Sequence, residues 1–153
     1  MTTYVFLDQG ALTLACKGRN NPKAVKCREW IEKLKDKGYR VVVPEIADYE
    51  ARRAFICSEN WDWLAELNAL SSTSFLPLSR PAMLKAAELW AILKRSGLST
   101  APDTSLDADC ILAAQAITAA QPGDRIIIAT TNEKHLNRFP GVEAKPLGYL
   151  EDP

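Results

Sequence analysis

The sequence predicts an α/β protein: a central parallel sheet with helices on both faces. Short β-branched runs alternate with amphipathic helical stretches, the order that builds parallel sheets. Two of the runs, Val41-Val42-Val43 and Ile126-Ile127-Ile128, are continuously apolar, as strands are when both of their faces are covered. A chain of 153 residues, 47% hydrophobic and 25% charged, fills one core and is too short for two, so a single domain over residues 1–153 is expected.

The elements follow in order. Tyr4 to Leu7, β-branched and aromatic and closed by Asp8, is the first strand. After a loop, Asn21 is placed to cap a helix with Pro22 at its first position, and Cys27, Trp30, Ile31 and Leu34 recur at helical spacing until Gly38. Arg40 to Pro44 is the second strand. Helices are expected from about Glu45 to Cys57 and Trp61 to Leu70, then a short extended Phe75-Leu76, then a helix from about Pro81 to Arg95. The Ser, Thr, Gly and Pro between Ser96 and Ser105 mark a loop. An almost wholly apolar helix, Asp107 to Ala120, a turn at Gln121 to Asp124 and a last strand, Arg125 to Ala129, complete the pattern.

Composition removes several classes of function. Nineteen basic side chains balance nineteen acidic ones, so no global positive field draws in nucleic acid, and any such contact must be local or metal-mediated. Cys16, Cys27, Cys57 and Cys110 show no CxxC spacing; neither a zinc knuckle nor a disulfide framework is supported, and three of them fall in helical patterns where a free thiol acts as a small hydrophobe. The N-terminus meets Asp8 before a signal-peptide core could form, and no apolar run reaches membrane-spanning length, so a cytoplasmic protein with no membrane partner is expected.

Ligands of parallel sheets bind beyond the carboxyl ends of the strands, which is where the acids gather. Asp8 ends the first strand, although a strand-terminal Asp also forms turns. Glu50 is the only charge on the face Ala47, Glu50, Ala51, Ala54, Phe55; a carboxylate on a buried stripe needs a cation or donors, which points to a site, with a core salt bridge to a residue such as Arg53 as the alternative. Glu45, Asp48 and Arg52 lie on the opposite face, where Asp48 and Arg52 make a surface pair and Glu45 is solvated. Asp109 stands above the stripe Leu112, Ala113, Ala116, again a charge at the head of a buried face. Asp107 points roughly 200° away from it on the same helix, and Thr104-Ser105-Leu106-Asp107 also reads as a capping box. Thr130, Asn132 and His135 follow the isoleucine strand at the same edge, where a helix cap at Thr131 or Asn132 is the competing reading. His135 is the sole histidine, and no GxSxG-type nucleophile accompanies it.

A cluster of hard oxygen donors selects Mg²⁺ or Mn²⁺. Without metal such acids repel one another and keep protons; with it they can hold a phosphodiester and a water for in-line attack.

These residues resemble the PIN-domain family, including the VapC-like toxins. The matching pieces are Phe6-Leu7-Asp8, the run Pro44 to Glu50, the run Asp109-Cys110-Ile111-Leu112-Ala113-Ala114-Gln115-Ala116, and Ala129-Thr130-Thr131-Asn132. The resemblance implies a metal-dependent ribonuclease on a parallel sheet, often homodimeric, acting on single-stranded or loop RNA and sometimes inhibited by a small antitoxin. Carried over by position, its catalytic and metal-binding acids are Asp8, Glu50 and Asp109. The chain departs from the pattern at Gln9 and Gly10, where Ser or Thr and then Asn are common, and at Asn132 and His135, where many members have aspartates. Asp107 is then the remaining acid for a fourth metal-binding position.

Other readings are weaker. A haloacid-dehalogenase-type phosphatase needs a second Asp where Gly10 stands, a receiver domain needs an acidic pair and a phosphoacceptor that are missing, and a dinucleotide-binding fold needs a GxGxxG loop. A catalytically weakened PIN fold serving as a binding or scaffold protein is the alternative from outside the enzymes.

Overall fold

The computed structural model of the chain describes residues 1–97 and 103–147, with 103–105 described by backbone alone. Among the described residues five strands form one parallel sheet in the order β3-β2-β1-β4-β5. They are β1 (Thr3–Leu7), β2 (Arg40–Pro44), β3 (Phe75–Leu76), β4 (Arg125–Thr130) and β5 (Glu143–Pro146). The helices are α1 (Gln9–Cys16), α2 (Pro22–Asp36), α3 (Glu45–Cys57), α4 (Trp61–Ser74), α5 (Arg80–Ser96), α6 (Asp103–Ala119) and α7 (Glu133–Leu136).

Alternation along β1 divides the core. Val5 and Leu7 face one side with Val41, Val43 and the apolar stripes of α1 to α4; Phe6 faces the other with Ile128, Ala144 and the stripes of α5 to α7. Helices therefore cover both faces, as the valine and isoleucine triplets require. Asn21 caps α2 as expected, its side-chain oxygen accepting the Lys23 and Ala24 N–H groups at 3.0 and 3.2 Å, with Pro22 at the first helical position.

Four local readings change. Residues 9–16 are helix rather than loop: Asp8 is the N-cap of α1, and the Arg28 guanidinium closes the far end by donating to Ala15 O at 2.7 Å and Gly18 O at 3.1 Å. The isoleucine strand is not the last, because β5 pairs beyond it. Helix α6 begins at Asp103, a turn before the expected Asp107. The loop expected at 96–105 is shorter, since Ser96 ends α5 and 103–105 are helix; residues 98–102 lie outside the described residues, as do the side chains of the Thr104-Ser105 capping box.

The far side of α3 is covered as well. Asp48 is buried: its carboxylate takes two hydrogen bonds from Arg52, at 2.8 and 3.1 Å, and one from the Ser71 hydroxyl at 2.6 Å. The expected surface pair is thus a clamp between α3 and α4. Nor is Glu45 simply solvated, since Oε1 accepts the Leu78 N–H at 2.6 Å. Helical spacing placed these acids opposite Glu50 correctly, but could not show that α4 and the segment after β3 would pack there. Among the described residues no helix is long and apolar enough to cross a membrane.

Candidate active site

The chain runs outward from β1 through β2 to β3, then returns to the other side of β1 as β4. This reversal opens a crevice past the carboxyl ends of β1 and β4, the place where parallel sheets bind ligands.

Asp8 and Thr130 stand at those two ends. The Asp8 Oδ1 accepts the Ala11 N–H at 2.7 Å, so the carboxylate sits on the amides at the start of α1, and Oδ2 accepts the Thr130 hydroxyl. Thr130 is fully buried, and its Oγ1 also accepts the Asn132 N–H at 2.9 Å. Burial raises the Asp8 pKa above its ordinary value, against the lowering by these hydrogen bonds. Gly10 belongs to the same construction: a Cβ there would meet Thr131 Oγ1 at 2.6 Å.

Glu50 projects from α3 and Asp109 from α6, both partly buried. Burial raises the pKa of each. Arg53 opposes it at Glu50, whereas Asp109 and Asp8 add to it; at Asp109, His135 and Arg138 oppose and Asp8 adds. The three carboxylates thus act on one another through space. The basic side chains beside them make only long contacts: Arg53 Nη2 is 3.9 Å from Glu50, His135 Nδ1 3.9 Å and Arg138 Nη2 4.0 Å from Asp109. The salt bridge considered for Glu50 therefore exists only as a long contact, with the Arg53 side chain 58% exposed.

Asp8, Glu50 and Asp109 line one polar pocket of about 220 Å³, with Thr130, Asn132 and His135 in its wall. Asn132 precedes α7, but its side chain makes no capping hydrogen bond. Asp107 is not brought in. It is exposed and borders a separate hollow of about 380 Å³ between α5 and α6, beside Met83, Trp90 and Cys110. Among the described residues no serine or cysteine lines the acidic pocket beside His135.

The donors suit a hard divalent cation: three carboxylates converge on one pocket, and the basic side chains beside them make only contacts of 3.9–4.0 Å. Among the described residues no three His, Cys, Asp or Glu side chains already close a cage around a point. An open carboxylate wall fits Mg²⁺, which keeps several waters and takes few protein ligands.

Gln115, in the run that Asp109 opens, has a structural part that the sequence reading does not assign. It is buried, its Oε1 accepting the Ile46 N–H at 3.3 Å and its Nε2 donating to Leu76 O at 3.2 Å, which ties α6 to α3 and β3. A lone amide on an apolar stripe was the available signal. Arg138 gave none, because it reaches Asp109 only through the tertiary fold.

These features define a class, an α/β protein with a carboxylate-lined pocket where a parallel sheet reverses its strand order. The PIN domain family model matches residues 5–141, and the chain belongs to the PIN-domain family. Its fold is similar to that of VapBC2 from Rickettsia felis bound to a DNA fragment from its promoter, with a TM-score of 0.73 at 16% identity over 94% of this chain and 98% of that one. It is similar also to DNA-bound VapBC from Salmonella typhimurium, with a TM-score of 0.68 at 19% identity over 95% and 98% of the two chains. FitAcB from Neisseria gonorrhoeae gives 0.65 at 17% identity over 92% and 95%. No curated protein sequence matches.

Proposed function

We propose that the protein is a divalent-metal-dependent endoribonuclease that hydrolyses RNA phosphodiester bonds with Mg²⁺ or Mn²⁺. The observation that carries this reading is the shared pocket of Asp8, Glu50 and Asp109, three acids from three separate places in the chain, where burial raises each pKa and Asp8 adds to the rise at Glu50 and Asp109. Membership of a family made up typically of nucleases supports it.

Asp8, Glu50 and Asp109 would hold the metal, which when bound supplies positive charge for the phosphate and lowers the pKa of a water. The amides of α1 and the Thr130 hydroxyl fix the Asp8 carboxylate in direction, so its position costs little reorganisation. Asn132 offers an amide oxygen at the pocket wall, and His135 and Arg138 hold Asp109 from its other side.

The likeness to VapBC and FitAcB assemblies supports a small antitoxin partner and a toxin role; a homodimer and a cytoplasmic location accompany that reading. One observation favours the scaffold alternative: Asn132 stands where many members carry an acid, and Asp107 lies outside the pocket. Incubation of defined single-stranded RNAs with Mn²⁺ or with EDTA separates the two. Cleavage that needs metal and is lost in Asp109→Asn supports the nuclease; intact RNA under all conditions supports the scaffold.

A further inference from the structure

Outside the pocket, α3 displays an aromatic and cationic pair that the core does not use. Tyr49 is 55% exposed, the Arg53 guanidinium lies over its ring at 4.9 Å from the centroid, and Arg53 Nη2 is 3.9 Å from Glu50 Oε2. Ring, guanidinium and site carboxylate thus follow one another along a single helix face, from solvent into the pocket.

We propose that Tyr49 and Arg53 form a binding platform for single-stranded RNA, the ring stacking an unpaired base and the guanidinium meeting the phosphate beside the pocket. This rests on the nuclease reading and assigns to α3 the residues that hold the unpaired strand beside the pocket.

The charge distribution favours that occupant. Three acids line the pocket and the chain has no net charge, so a polyanion approaching it needs cations at the rim. Arg53 stands at the Glu50 side with its side chain 58% exposed, so a strand entering the pocket past α3 meets a guanidinium at that wall. An exposed ring offers a face that any unpaired base can stack on, and a paired base has no free face to offer. The pair is also cheap to keep in place, since a guanidinium over an exposed ring is attractive by itself.

The test is fluorescence anisotropy in Mg²⁺ with a labelled single-stranded RNA carrying non-cleavable phosphorothioate linkages, and with its duplex. Tyr49→Ala should weaken single-strand binding about tenfold, Tyr49→Phe should bind like the wild type, and duplex binding should not distinguish the three. Arg53→Met should reduce the salt dependence by about 0.7 in the log–log slope, one phosphate contact's worth. Equal single-strand binding by Tyr49→Ala and wild type would overturn the platform, as would no measurable binding by the wild type. Loss of binding that tracks a change in subunit association by light scattering would overturn it too, by giving this face to a second copy of the chain. Cleavage is read separately: metal-dependent cutting with ring-independent binding refutes the platform alone, and ring-dependent binding without cutting refutes the nuclease alone.

Discussion

The Gln115 side-chain oxygen accepts the backbone N–H of Ile46 at 3.3 Å, joining the helix that carries Asp109 to the first turn of the helix that carries Glu50. The same carboxamide donates to Leu76 O at 3.2 Å, so one buried residue ties the helices that carry two acids of the pocket to each other and to β3.

Gln115→Leu leaves the Ile46 N–H and the Leu76 carbonyl without that partner, at about 1–3 kcal/mol for each group that stays dry. Urea unfolding in EDTA should show a loss of about 2–4 kcal/mol. If Gln115 also positions the acids, Mn²⁺ affinity by calorimetry should fall in the protein that remains folded. Unchanged affinity would reduce Gln115 to a structural bond.

Neutralising one acid should stabilise the metal-free protein. Burial raises Glu50 against the pull of Arg53, with Asp109 and Asp8 adding to it, while burial raises Asp109 against the pull of His135 and Arg138. A carboxyl whose folded pKa lies above its unfolded value contributes stability below the unfolded pKa and loses it as pH rises through the folded one. At neutral pH in EDTA, Asp109→Asn should therefore melt above wild type, and the gap should close as pH falls through the carboxylate range. A lower melting point for Asp109→Asn at neutral pH would make Asp109 a structural ion-pair partner of His135 and Arg138.

Asp48 should behave oppositely. Burial works to raise its pKa, but the hydrogen bonds from Arg52 and Ser71 prevail and hold it below the ordinary value. Its stabilisation is present above the unfolded carboxylate pKa and is lost as pH falls through the folded one. Asp48→Ala should cost about 2 kcal/mol at neutral pH, with the deficit shrinking in acid. A silent substitution in chemical denaturation would return the pair to the solvated surface.

How far the sequence alone carried the fold depended on period and punctuation. The apolar triplets placed β2 and β4, and Asn21-Pro22 placed the start of α2, because each signal is local. Helix α1 was hidden because Gln9 to Cys16 is small and apolar around most of its circumference and includes Gly10, so no polar face revealed the period. Strand β5, Glu-Ala-Lys-Pro, is too short and polar to declare itself; it exists because β4 offers an edge. Among the acids, Asp8, Glu50 and Asp109 were legible as charges attached to strands or stripes that must be buried. Glu45 and Asp48 were misjudged because their partners, Leu78 and Ser71, are 33 and 23 residues away.

Asn132 tests the wall of the pocket. Its side chain makes no capping hydrogen bond, so replacing the amide by a carboxylate need not disturb α7. Asn132→Asp should tighten Mg²⁺ binding, since cation affinity follows the number of carboxylates. Calorimetric titration of both proteins reads this directly, and identical affinities would remove Asn132 from the site.

The central claim is that Asp8, Glu50 and Asp109 form one divalent-cation site, and the most direct measurement is the melting temperature with and without Mn²⁺. A ligand bound only by the folded state at a hundredfold excess over its Kd stabilises by about 2.7 kcal/mol, which for a chain of this size raises the midpoint by about 5–10 °C. The account predicts that rise in wild type and its loss in Asp8→Asn, Glu50→Gln and Asp109→Asn alike. No rise in the wild type, or an undiminished rise in all three variants, would contradict it.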